Sequence, residues 1–235
     1  MPTIEFRGAA VTYDGKQILA PLSFTLTEQR IGIIGSNGSG KSTAVRLING
    51  LIDPTEGDVL VNGMSTTKDA KTIRKQVGFV FSDAENQIVM PRVADDVAFS
   101  LRRFKLPRAE VQSRVGTILE RFGLANHAEH SPHTLSGGEK QILALASVLV
   151  TEPETIICDE PTTLLDLRNR RRIIRELMAL KQQLIVVTHD LDMLRDFDRV
   201  LVLNDSQLLF DGTPNAAIDF YIDLMETKPW LENSL

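Results

Sequence analysis

Arg30-Ile-Gly-Ile-Ile-Gly35-Ser-Asn-Gly38-Ser-Gly40-Lys41-Ser42-Thr43 is the stretch that decides the fold. Ile31, Ile33 and Ile34 make an apolar run of the kind that becomes a buried strand, and the run stops at a loop of alternating glycines. Lys41 and Ser42 follow, and Ala44 to Ile48 continue as the start of a helix. The spacing G-x-x-x-x-G-K-S, in a strand–loop–helix setting, is the P-loop pattern. Its residue types follow from its chemistry. Gly35, Gly38 and Gly40 let the backbone N–H groups of the loop, from Ser36 and Asn37 through Ser39 to Thr43, curl around a polyphosphate. The helix N-terminus adds unpaired donors and partial positive charge. Lys41 would reach β- and γ-phosphates, while the Ser42 hydroxyl would ligate Mg²⁺.

Working outward, 235 residues allow one large domain or two small ones, with a proper core either way. Hydrophobic residues at 43% and charged residues at 24% fit a globular chain. No run of about 18 apolar residues occurs, so no transmembrane helix is expected. The opening Met1-Pro-Thr-Ile-Glu5 has no basic segment followed by an apolar one, so no secretory signal is expected and any membrane role runs through partners. A net charge of −5 argues against bulk nucleic-acid binding. The single cysteine, Cys158, excludes an internal disulfide and suits a reducing compartment. It ends the run Ile156-Ile157-Cys158 and reads as a buried, inert thiol.

Residues 3–30 read as β-structure, with Asp14-Gly15 as a turn between strands. Asn49-Gly50 closes the helix after the loop, and Asp58 to Gly63 is a strand and turn. Lys68–Gln76 reads as a short exposed helix and Val77–Phe81 as a strand. From 93 to 150 the pattern is helical: Val93, Val97, Leu101 and Phe104 recur at helical spacing, then come Pro107–Phe122 and a nearly all-apolar Gly138–Val150. Strand–helix alternation resumes at Thr155–Asp159, continues through Leu184–Thr188 and Val200–Leu203, and ends in a helix opened by Thr213-Pro214 and a frayed tail after Thr227. This predicts an α/β core, 1–92 and 151–212, interrupted by a helical subdomain at 93–150 and followed by a C-terminal helix and tail at 213–235.

Thr155–Glu160 is a short apolar strand ending in adjacent carboxylates. Downstream of a P-loop, Asp159 would anchor Mg²⁺ and Glu160 would polarise an attacking water, although a strand leaving the core through a charged turn has the same local form. Between the two motifs lies Leu135-Ser136-Gly137-Gly138-Glu139, where glycines bare backbone N–H groups at a helix N-terminus. Alone it could equally be an ordinary serine cap.

The three motifs in this order resemble the nucleotide-binding subunit of ATP-binding cassette (ABC) proteins over essentially all of residues 3–225. The resemblance implies a RecA-like P-loop NTPase core with an antiparallel β subdomain and an inserted α-helical subdomain. It places Tyr13 on adenine, Gly35–Thr43 in the Walker A loop and Ser136, Gly137 and Gly138 in the signature. Asp159 matches the Walker B carboxylate, Glu160 the catalytic glutamate, Asp166 the D-loop and His189 the switch histidine. It also implies a head-to-tail dimer, a homodimer by preference since every catalytic position is filled. Each ATP then lies between one copy's loop and the other's signature, with Mg²⁺ as cofactor.

Val77 to Val89, with Asn86-Gln87, followed by Val93-Ala-Asp95-Asp96-Val-Ala-Phe99, is similar to the ATPases of energy-coupling-factor (ECF) vitamin and metal-ion importers. That resemblance implies a transmembrane T subunit contacted by the 82–104 region, with Asp95 and Asp96 as the acidic side, and a membrane S subunit that binds the substrate. The same acids would also complement a helix dipole. The short C-terminus leans toward the biotin importer, and the implied place is the cytoplasmic face of the cell membrane. Other ABC importers or exporters, and non-transport ABC ATPases of assembly or repair, are the alternatives.

The chain departs from the family pattern at several positions. Ser82 stands where the Q-loop glutamine that helps hold Mg²⁺ is expected, and Gln87, five residues on, is the candidate to compensate, though poorly placed for it. Glu139 replaces a common glutamine and brings a carboxylate toward the γ-phosphate, unless Lys140 or another cation screens it, and Ile142 stands where arginine is common. Slow basal hydrolysis is the expectation. His127, His130 and His133 sit in a polar loop and read as solvated rather than metal-binding, and Arg168, Arg170, Arg171, Arg172 and Arg175 as a solvated or dimer-edge face.

Overall fold

The computed structural model describes residues 1–163 and 165–227, so the tail expected to fray after Thr227 lies outside the described residues. The chain divides into two compact units, one of Thr3–Lys68 with Ile185 onward, the other of Asp69–Leu184.

In the first unit, β1 (Ile4–Tyr13) and β2 (Lys16–Leu26) form an antiparallel hairpin closed by the pair Tyr13↔Lys16. Asp14 and Gly15 take φ 48° and 75°, the two positive values that a type I′ turn needs to match strand twist. β1 also pairs with β4 (Glu56–Val61), which turns at Asn62-Gly63 into β5 (Met64–Ser65), giving an antiparallel sheet in the order β2-β1-β4-β5. Ile4, Phe6, Leu22, Leu26, Val59 and Val61 are buried from it, the period-two pattern of a half-covered sheet.

β3 (Arg30–Ile34) runs parallel to β9 (Arg199–Asn204), with Ile31↔Arg199 through Ile34↔Val202 in register. β10 (Gln207–Gly212) pairs antiparallel with β9. On the other side of β3 lies β8 (Gln183–Val187), the strand in which the chain returns to this unit. Ile31 to Ile34 are all buried, as a strand covered on both faces requires. α1 (Lys41–Ile48) leaves the loop after β3 and ends in paired bonds from Gly50 N–H to Leu47 O and Leu51 N–H to Arg46 O, a Schellman closure. α7 (Leu191–Leu194) and α8 (Pro214–Thr227) complete the unit.

In the second unit, α2 (Ala70–Gln76) leads into β6 (Val77–Val80), which pairs parallel with β7 (Thr155–Asp159). Between them come α3 (Val93–Leu101), α4 (Arg108–Arg121) and α5 (Gly137–Leu149), joined by short 3₁₀ turns, and α6 (Leu167–Met178) follows β7. Every residue of α5 from Gln141 to Leu149 is buried, the all-round burial that its apolar sequence predicts. The α/β architecture, the antiparallel sheet and the helical stretch between β6 and β7 are those expected from the sequence. Among the described residues no helix is long and apolar enough to cross a membrane.

Candidate functional site

The loop Gly35–Thr43 is shaped by its glycines. Gly35 has φ 152°, and a Cβ there would fall 1.8 Å from the carbonyl oxygen of Leu203. Gly40 has φ 94°, and its Cβ would meet Ile18 O at 2.8 Å. No other residue fits at either position. Ser36 Oγ donates to Asn204 Oδ1 at 2.7 Å, tying the loop to the end of β9. Lys41 is only 5% exposed, and its ammonium donates to the carbonyls of Gly35 and Ser36, each at 2.8 Å. The cation is thereby centred in the loop. Ser39 Oγ is buried without a hydrogen-bond partner among the described residues, while Asn37 and Gly38 face solvent. A buried cation, an orphaned hydroxyl and a loop opening a helix form an anion cradle that fits a polyphosphate.

Two further predicted residues belong to this unit. Tyr13, at the hairpin tip, is 71% exposed, with its ring face available to a stacking partner. His189 is exposed just past the end of β8, where the Thr188 N–H donates to Ile33 O at 3.2 Å. The histidine and the loop therefore leave the carboxyl ends of adjacent strands, the edge at which open α/β sheets bind ligands.

In the second unit, Asp159 is buried at the end of β7. Glu160 follows with φ 52°, a left-handed conformation that costs a non-glycine residue about 1 kcal/mol. Its carboxylate accepts the Thr163 hydroxyl at 2.9 Å. Cys158 is buried as expected, and burial, helped by the neighbouring Asp159 charge, pushes its thiol far above the ordinary range.

Ser136 caps α5 reciprocally. The Ser136 N–H and hydroxyl donate to Glu139 Oε2 at 2.8 and 2.7 Å, and the Glu139 N–H donates to Ser136 Oγ at 3.4 Å. This capping box satisfies donors that a helix start would otherwise leave open. The Ser136 hydroxyl, then its N–H, hold the Glu139 carboxyl below the usual carboxylate range. Gly137 is exposed, whereas a Cβ on Gly138 would fall 2.3 Å from Asn169 Cγ. Asp166 is the cap of α6, accepting the Asn169 N–H at 2.8 Å and its Nδ2 at 3.1 Å. Asn169, with no signal in the sequence beyond its spacing from Asp166, thus joins Gly138 to Asp166.

Ser82 is exposed directly after β6. Its neighbour Phe81 is clamped by two carboxamides that the sequence does not announce. Gln87 Oε1 accepts the Phe81 N–H at 3.1 Å while Gln87 Nε2 donates to Ala144 O at 3.2 Å, and Gln141 Nε2 donates to Phe81 O at 3.3 Å. Gln87 is committed to this clamp.

Two expectations need correction. Asp96 is not part of an outward acidic pair: it is 4% exposed, accepts the Val89 and Met90 N–H groups at 2.8 and 3.1 Å, and receives the Ser147 hydroxyl at 3.2 Å. It braces the chain before α3 against α5. Asp95 stays at the surface, paired with Arg92 at 2.7 Å. Nor does Lys140 screen Glu139, because its ammonium pairs with Glu85.

A family model described as ABC transporter matches residues 19–163. The biotin transport ATP-binding protein BioM of Rhizobium etli is 47% identical over 94% of this chain and 98% of its own length. The energy-coupling factor transporter ATP-binding protein EcfA1 of Caldanaerobacter subterraneus subsp. tengcongensis is 42% identical over 79% of this chain and 69% of its own. Among solved structures, CbiO1 from Clostridium perfringens, part of the ABC transporter complex CbiONQ, superposes with a TM-score of 0.81 at 30% identity, covering 97% of this chain and 95% of that one.

Proposed function

This chain belongs to the ABC transporter family as an importer ATPase of the BioM and ECF type, and from that premise we propose that it energises uptake of a vitamin, biotin in preference to a metal ion, as a dimer on a transmembrane T subunit. The observation that carries the reading is the glycine-shaped loop centred on the buried Lys41 ammonium. Its geometry suits the β- and γ-phosphates of ATP, with Tyr13 stacked on the adenine. Ser136, Gly137 and Gly138 of a second copy complete the site, Asp166 supporting them through Asn169.

In the reaction, water attacks the γ-phosphorus in line, the bond to the β–γ bridging oxygen breaks, and ADP and phosphate leave. Glu160 takes the proton from the attacking water. Lys41 and His189 stabilise the charge that spreads over the transferred group. Ser42, Asp159 and Ser82 would hold Mg²⁺, an all-oxygen donor set of the kind this hard cation prefers, and the ion when bound neutralises phosphate charge.

The T subunit meets the 82–104 region, on the cytoplasmic face of the membrane, with a separate S subunit carrying the substrate. With Asp96 buried, the contact surface is Asp95 together with Phe99, which is 43% exposed, and Arg102 and Lys105 around a groove of about 370 Å³. Tagged chain recovered from detergent-solubilised membranes brings down membrane subunits on this reading. Recovery solely as a free dimer would instead favour a non-transport ABC ATPase.

A further inference from the structure

The hydroxyl that the signature offers to a phosphate is already in use. Ser136 Oγ has one proton, and it is donated to Glu139 Oε2 at 2.7 Å, with the Ser136 N–H on the same oxygen at 2.8 Å. An ionised acceptor makes these the stronger class of hydrogen bond. The other carboxylate oxygen, Oε1, lies 3.8 Å from His127 Nε2, so a partner exists for the group once Ser136 lets it go. Glu139 is half-exposed, with room to turn.

We propose that Glu139 is a positioning residue that competes with the γ-phosphate of the partner's ATP for Ser136, and so sets how readily ATP closes the dimer. This rests on the reading that Ser136–Gly138 completes a second copy's site. An incoming phosphate has the same charge as the Glu139 carboxylate and asks for the same donor. Closure therefore requires the carboxylate to give up two hydrogen bonds and to swing away from a like charge. A glutamine at this position keeps the capping box, since its amide oxygen can accept both donors, but neither repels phosphate nor holds the serine as firmly.

The test uses the full chain with Glu160→Gln, which slows hydrolysis so that an ATP-closed dimer accumulates. Light scattering after size exclusion gives the ATP concentration at half-maximal dimer formation, with and without Glu139→Gln. Glu139→Gln lowers that midpoint about tenfold, which corresponds to 1.4 kcal/mol. In the hydrolytically competent chain the same change lowers KM for ATP and leaves kcat within a factor of two. Adding Ser136→Ala removes most of the gain, because the contested hydroxyl is gone. A midpoint unchanged or raised by Glu139→Gln overturns the proposal, as does a gain that survives Ser136→Ala in full, which would make Glu139 a general charge effect. Tight ATP binding without any dimer in either background overturns both the proposal and the shared-site reading. An intact dimer with no effect of Glu139→Gln overturns the proposal alone.

Discussion

Gln87 holds Phe81 by its backbone, accepting the Phe81 N–H on Oε1 at 3.1 Å from six residues further along the chain. Its Nε2 reaches across to Ala144 O in α5 at 3.2 Å, and Gln141 of α5 grips the Phe81 carbonyl in return. The residue leading into the segment proposed to meet the membrane partner is thus fastened to α5, the helix capped by Ser136. Replacing Gln87 by leucine strands the Phe81 N–H and removes the second donor to the Ala144 carbonyl, and costs about 1–3 kcal/mol in denaturant unfolding. Gln141→Leu, which leaves the Phe81 carbonyl without that donor, falls in the same range.

Because Gln87 is fixed in this clamp, it does not stand in for a Q-loop glutamine, and Ser82 alone occupies that position. Ser82 is exposed, so a longer side chain fits. Ser82→Gln keeps nucleotide binding and does not abolish ATP hydrolysis in the assembled complex. A fall in kcat as deep as that caused by Glu160→Gln would show that serine here is not a tolerated variation.

How far the sequence could be read depended on the range of the interactions. The Asp14-Gly15 turn, the strand–loop–helix around Lys41 and the helices of 93–150 rest on local pattern, and all appear as expected. The burial of Asp96 was partly legible. At 100° per residue it lies about 60° from Val93 on the helix, near the apolar stripe, whereas Asp95 lies about 160° away. Its bonds to Val89, Met90 and Ser147 depend on tertiary placement and were not. Ser136-x-x-Glu139 carries the local signature of a capping box, yet spacing alone does not say whether the carboxylate turns back on its own helix or outward. The clamp on Phe81 joins residues about sixty apart in part, and no local pattern announces it.

Acid sensitivity should bear the mark of the Glu139 cap. Its folded pKa is depressed, by the Ser136 hydroxyl first and then the Ser136 N–H. The cap's contribution is therefore fully present above the unfolded carboxylate pKa and is lost as pH falls through the lower folded value. Thermal unfolding followed from about pH 7 down to about pH 3 should decline less steeply in Glu139→Gln than in the parent. The effect is small, since the group is near the surface.

Cys158 is fully buried in β7 with its thiol pushed up by burial, so almost no thiolate is available to react. An aromatic disulfide reagent leaves the native chain unlabelled and modifies one thiol per chain once denaturant unfolds it. Rapid labelling of the folded chain would mean that β7 opens readily.

The central claim is that the Lys41 loop of one copy works with the Ser136–Gly138 turn of another. A Cβ on Gly137 meets nothing within 4 Å, so Gly137→Asp is accommodated sterically while setting a negative charge against the phosphate. Lys41→Ala removes the cation from the loop. Each variant alone is expected to be inactive, and ATP hydrolysis is the measurement on their mixture. A mixed dimer pairs the intact loop of the Gly137→Asp copy with the intact signature of the Lys41→Ala copy, so the account predicts that activity returns on mixing. Hydrolysis that stays absent although mixed dimers form, or that persists in purified Gly137→Asp alone, would contradict it.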